Sequence, residues 1–239
     1  MSRFGFRTGI FGDKTIEQSA AELARIGFEC LELCLEAPDV RPETLTQTRC
    51  TRIHSSLDTL DISIASTSYH ADREPPDVRR ANQHKALQAT RWLGAEILIL
   101  NAEKATDRSR QWPEHVALLR DLSQAAEEMG IFLAIEPEPQ LVISDCKDML
   151  DMIEQVNSPR LKVNLDIGHA YITDDDLASL IIRFGPEIVH LHLEDIKGKV
   201  HRHLPFGLGD IDFAAVREAL DQIDYQGPYV ADLFGLDDT

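Results

Sequence analysis

Four apolar runs in the second half of the chain end on a side chain that can bind a cation or move a proton. "FLAIEPEP" reaches Glu136, with Glu138 two places on. "KVNLD" stops at Asp166, "IVHLHLED" carries His190, His192 and Glu194 at two-residue spacing, and "PYVADLF" places Asp232 after Val230. Carboxylates crowded together repel, and one must take a proton unless a cation sits among them. A divalent ion held by Glu136, Asp166, His192 and Asp232 would supply that cation. Three oxygen donors and one imidazole suit Mn2+, Mg2+ or Co2+, and Zn2+ is compatible. Singly, each group has a plainer use: a strand-end acid often caps a helix or joins a surface ion pair, and a strand histidine such as His190 is commonly a satisfied core residue. The repetition over consecutive runs is what points to a metal centre.

Such convergence needs neighbouring strands whose carboxyl ends meet. Eight strand-length runs occur, at 4–10, 30–36, 62–68, 96–102, 131–137, 161–167, 188–194 and 228–234, with segments of helical spacing between them. Seven helices are expected. "TIEQ" at 15–18 reads as a capping box, Pro113 as a first-turn residue, and Ser144 and Thr173 as caps ahead of acidic first turns. This alternation over 239 residues predicts a (β/α)8 barrel in a single domain, 1–239, close to the roughly 250 residues usual for that fold. A doubly wound sheet is the rival, but "RTGIFGDKT" lacks its glycine-rich first turn. Only five residues follow Phe234, so the eighth helix is expected to be missing. A partner subunit, as in a homo-oligomer, or another segment is expected to cover the flank beside strands eight and one.

The formal charge of −17 argues against nucleic acid as a partner, since phosphate binding depends on a basic surface. No run is long enough to span a membrane and no signal-like segment opens the chain, so a cytoplasmic location is expected. The four cysteines, at 30, 34, 50 and 146, form no CxxC pair and read as buried free thiols.

Together "LAIEPEP", "VNLDIGHA", "VHLHLED" and "HRHLPFGLGDIDF" resemble the xylose isomerase-like TIM-barrel superfamily, the sugar isomerases and epimerases grouped with endonuclease IV. The resemblance implies one metal held by Glu136, Asp166, His192 and a final acid at Asp232, where the family usually has the longer Glu. It implies that His169, in the Asp-x-x-His turn, faces the substrate or a further metal; the alternative is a loop imidazole bonded to a backbone carbonyl. It also makes His203 a possible additional metal ligand and Arg202 a contact for a carboxylate or phosphate. His70 and Glu32 are candidates to bind substrate hydroxyls, although Glu32 reads equally well as a structural acid. "SYHADREPPD" (68–77) is the longest candidate lid and offers Arg73 to an anion.

The leading expectation is a divalent-metal-dependent isomerase or epimerase of a small sugar, keto-sugar or related hydroxy-carbonyl compound, working through a metal-stabilised enediolate. Glu136 would be the base and Asp232 the second acid-base group. A phosphodiester hydrolase of the endonuclease IV type is the main alternative. Against it stand the charge and Asn101, an amide where the nuclease branch carries an imidazole. A metal-dependent lyase or dehydratase, or a barrel that binds a metabolite without turnover, is a third.

Overall fold

Short apolar runs bury both faces only when helices cover one side and the barrel interior the other, and the chain takes that solution. A computed structural model describes residues 3–234. Eight parallel strands close in chain order: β1 (Phe4–Arg7), β2 (Cys30–Cys34), β3 (Ser63–Ser68), β4 (Ile97–Asn101), β5 (Phe132–Glu136), β6 (Leu161–Asp166), β7 (Ile188–Leu193) and β8 (Tyr229–Ala231), which pairs back onto β1. The expected TIM barrel is present.

Eight α-helices lie among the described residues, one more than expected: α1 (Ile16–Ile26), α2 (Gln47–Asp58), α3 (Pro76–Trp92), α4 (Arg108–Met129), α5 (Cys146–Val156), α6 (Ile167–Thr173), α7 (Leu177–Phe184) and α8 (Phe213–Gln222). The extra one is α6. Its N-cap is Asp166 itself, which accepts from His169 N at 2.7 Å, so the Asp-x-x-His segment is a helical turn.

Thr15 and Gln18 form the expected capping box on α1. The other signals shift. α4 begins at Arg108 behind an Asp107 cap, leaving Pro113 inside the helix. Asp145 and Asp176, rather than Ser144 and Thr173, cap α5 and α7, because their carboxylates accept from the backbone N–H groups of Asp148 and Ser179. The first strand stops at Arg7: Cys34 N donates to Thr8 Oγ1 at 2.9 Å, and residues Thr8–Phe11 turn into a 3-10 helix.

Inside the barrel, two small clusters fill the lower end, Cys30 with Ala65 and Val230, and Ile97 with Ile99 and Ala134. Glu32, Ser66, Asn164 and His190 add fully buried polar groups. All four cysteines are buried and free. No helix among the described residues is long and apolar enough to cross a membrane. The five residues expected to be too few for an eighth helix lie outside the described residues. On that flank Tyr225 packs edge-on against Tyr229, while Phe4 stacks on Tyr229 and stays 55% exposed.

Candidate active site

The strand registers carry the polar residues to one end. Asn101 pairs with Glu136 across β4 and β5, Asp166 with His192 across β6 and β7, and Asp232 N donates to Leu193 O just beyond β8. His192 is the hub. Its Nδ1 lies 3.1 Å from Glu136 Oε2, 3.6 Å from Asp232 Oδ2 and 3.9 Å from Asp166 Oδ2. One ligand atom from each of Glu136, Asp166 and His192 falls within 4.8 Å of the others. Asp232 reaches the same imidazole but is shared with Arg7, whose Nη1 donates to both of its oxygens at 3.3 and 3.4 Å.

Burial pushes the Glu136 carboxyl up, yet His192 and His70 outweigh it and hold the group well below the usual range. Asp166 is likewise lowered, chiefly by His169 acting against burial. For His192 burial acts downward, but Glu32 and Glu136 raise it well above an ordinary imidazole. Its neighbour His190 is pushed down to about 3 by burial and stays neutral. Glu194 lies in one group with Asp166 and His203, and forms no ion pair among the described residues. Burial first, then Asp166, drives its carboxyl well up, and both its oxygens lack a hydrogen-bond partner. Gly168 is required at this point, since a Cβ there would overlap Glu194 Oε1.

The loop after β7 brings further imidazoles over the mouth. Asp195 accepts from the backbone N–H groups of Ile196, Gly207, Gly209 and Ile211 at 2.7–3.2 Å, folding residues 196–211 into a fixed return. At Gly209 a Cβ would overlap Asp195 Oδ1 and Ile196 O. This return sets His201 Nε2 at 2.9 Å from His169 Nε2 and 3.4 Å from His203 Nε2. His203 Nδ1 donates to Asp232 O at 2.7 Å.

The mouth opens into a cavity of about 690 Å3 lined by Arg7, Cys34, His70, Glu136, His169, His201, His203 and Asp232, among others. His169 Nδ1 lies 3.4 Å from Glu136 Oε1 and 3.3 Å from Pro137 O. The first contact faces the site, and the second is the backbone contact named as its alternative. His70 Nε2 is 3.6 Å from Glu136 Oε2, and Glu36 holds its segment by accepting from the His70 and Ala71 N–H groups. Glu32 does not reach the cavity: it is fully buried beneath the mouth, against His192 and Arg7. Arg202 is exposed and does not line the cavity. Asn101 is tied to Arg79, Asp72 and Glu138. The 68–77 segment divides, its last two residues starting α3, while Tyr69 and Arg41 tether Glu74.

Arg7, Asn164 and His201 were not singled out from the sequence. Arg7 and Asn164 had a signal, a polar side chain inside an otherwise apolar strand run; His201 differs from its loop neighbours only in type.

The donor set fits a divalent cation. Asp166 spends Oδ1 on the α6 cap, while Oδ2 is buried, aimed at His192 and without a hydrogen-bond partner. An orphaned carboxylate oxygen beside two further acids and an imidazole nitrogen is the environment a hard or borderline cation satisfies.

A model of the family described as xylose isomerase-like TIM barrel matches residues 20–238. The chain is similar to a D-psicose 3-epimerase of Enterocloster bolteae, 32% identical over 56% of this chain and 43% of that protein, so the match spans less than half of that relative's length. It is also similar to an L-ribulose-5-phosphate 3-epimerase of Salmonella paratyphi A, 25% identical over 87% of this chain and 78% of the relative. The crystal structure of an E. coli 3-keto-D-glucoside 4-epimerase shares the fold at 18% identity, with a TM-score of 0.82 over 99% of this chain and 94% of that one.

Proposed function

The chain belongs to the xylose isomerase-like TIM-barrel family, and on that premise we propose that it is a divalent-metal-dependent epimerase or isomerase of a small ketose or related hydroxy-carbonyl compound. The observation that carries this reading is the convergence of Glu136, Asp166 and Asp232 on His192 Nδ1, with Asp166 Oδ2 left unpartnered. The epimerase names of its relatives support the reaction class.

In this reading Glu136, Asp166, His192 and Asp232 hold Mn2+, Mg2+, Co2+ or Zn2+. Bound there, the ion supplies positive charge where the substrate carbonyl oxygen gains electron density. Glu136 removes the proton from the carbon next to that carbonyl: it lines the cavity and is kept ionised by its imidazole neighbours. His169 and His70, on either side of Glu136, bind substrate hydroxyls. Asp232 is the second acid-base group, and both its oxygens also accept from the Arg7 guanidinium. Arg202 and Glu32 have no substrate contact in this arrangement.

One observation favours a second reading. The Nε2 atoms of His169, His201 and His203 face one another, and these residues form a second group able to hold an ion, as a multinuclear hydrolase would require. Metal content and activity, measured on the wild type and on Glu136→Gln and Asp166→Asn, separate the two. About one ion per chain, lost in both variants, with solvent hydrogen exchanged into a ketose, supports the epimerase. Several ions with phosphodiester cleavage supports the hydrolase, and full metal content in both variants removes the site assignment.

A further inference from the structure

Glu32 lies below the mouth with neither surface nor cavity to serve, yet its carboxylate touches the hub of the site. Glu32 Oε2 is 2.6 Å from His192 Nε2, and Oε1 accepts from Arg7 Nε at 2.9 Å. Both Glu32 and His192 are fully buried. An ionised carboxylate only accepts, so Nε2 carries the hydrogen and the other ring nitrogen is the one offered to Glu136, Asp166 and Asp232.

The far side of the ring agrees. Ser66 Oγ lies 2.9 Å from His190 Nε2 and 3.4 Å from Glu32 Oε2. His190 Nδ1 is 2.8 Å from Asn164 Oδ1 and donates to it. With its carbonyl oxygen so engaged, Asn164 turns its Nδ2 to Glu136 Oε2 at 2.7 Å and to His192 Nδ1 at 3.1 Å. With Nε2–H committed to Glu32, Nδ1 is the nitrogen that would give up its hydrogen to a bound cation. The polar groups thus form a chain, from Glu32 through His192, Asn164 and His190 to Ser66, whose one hydroxyl hydrogen goes to His190 Nε2.

We propose that Glu32 is a positioning residue: by accepting from His192 Nε2–H it fixes the ring and tautomer so that Nδ1 is the nitrogen presented to the carboxylate cluster. This rests on the reading of His192 as a metal ligand given above. A carboxylate behind a ligating imidazole orients it and raises its basicity, and losing such a partner weakens metal affinity about 10–100-fold. Arg7 extends the device by joining Glu32 to Asp232, so two of the four converging groups share one brace.

The test is Mn2+ binding by calorimetry to the wild type, Glu32→Gln and Glu32→Asp, with folding checked by circular dichroism. It is joined by proton NMR of the Mg2+-loaded proteins, following the downfield imidazole N–H signal that His192→Gln abolishes. Glu32→Gln keeps the shape; Glu32→Asp keeps the charge beside Arg7 and carries the test if the amide variant does not fold. Expected is a Kd weakened about 10–100-fold in both, with the N–H signal moved upfield and exchanging faster. Wild-type affinity with an unmoved signal overturns the proposal while leaving the metal site standing. A wild type that binds no Mn2+ overturns the proposal together with the reading beneath it.

Discussion

The two halves of the barrel use polar residues in opposite ways. On β5 to β8 they point at one another with valences left open: Asp166 Oδ2 and both oxygens of Glu194 have no partner. On β1 to β4 and the loops that follow, most are matched within the protein. Arg7 bridges Glu32 and Asp232, Glu36 caps the His70 segment, and Asn101 is held by Arg79. Unpartnered atoms remain there too, at Glu36 Oε2, Asp39 Oδ1, Arg79 Nε, Gln83 Oε1 and Ser123 Oγ, and His70 Nε2 is the one that lies beside Glu136, at 3.6 Å. The acids of β5 to β8 gather open valences around one imidazole, while Arg7, Glu36 and Asn101 spend hydrogen bonds holding that arrangement in place.

This division predicts different failures. Glu136→Gln removes the carboxylate proposed as base while keeping its shape, so kcat falls about 10²–10⁴-fold with little change in Tm, read by ketose turnover and calorimetric melting. Arg7→Met breaks a buried ionic bridge and leaves Glu32 and Asp232 without their cation. The expected loss is about 3–5 kcal/mol, read as a fall in urea midpoint. If Arg7→Met melts like the wild type, the first half is not the scaffold described here.

The same division explains what the sequence disclosed. Site acids stood out because each ends an apolar run and the pattern repeats over consecutive strands; the barrel was legible because strand and helix periods alternate to the end of the described residues. The bracing groups were harder to see. Glu32 lies in mid-strand, where only the partner tells a substrate contact from an internal brace, and that partner is 160 residues away. α6 was hidden because Asp166 ends a strand and caps a helix at once. Arg202 looked useful beside two histidines, but the return fixed by Asp195 turns His201 and His203 to the cavity and leaves it outside. Such facts belong to register and loop geometry, which one sequence does not encode locally.

Gly168→Ala sharpens the contrast from within the open half. The new methyl meets the Glu194 carboxyl and Ile196 Cγ1, so α6 or these two buried side chains must give way. Overpacking of this kind costs about 1–3 kcal/mol, and the displaced α6 start would carry Asp166 and His169 with it. Metal affinity should therefore drop along with stability, read by Mn2+ titration and thermal melting. A destabilised variant with unchanged affinity would show that the α6 cap and the cation site are independent.

The smallest expected effect concerns the substrate's charge, on which the relatives divide between a free and a phosphorylated ketose. The cavity is lined by seven carboxylates, Asp13, Glu36, Asp72, Glu74, Glu136, Glu138 and Asp232, against three guanidiniums, Arg7, Arg41 and Arg73. Of these three, Arg7 and Arg41 are already paired with acids, and Arg73 has no ion pair among the described residues. A phosphate dianion would meet a field of its own sign and one free cation, while a neutral ketose meets hydroxyl-binding acids and imidazoles. A free ketose should therefore be turned over with kcat/KM at least about tenfold above its phosphate ester, and added salt should narrow the gap by screening the repulsion. If the ester is preferred and Arg73→Ala removes the preference, the half read here as scaffold is also where the substrate's anion is bound.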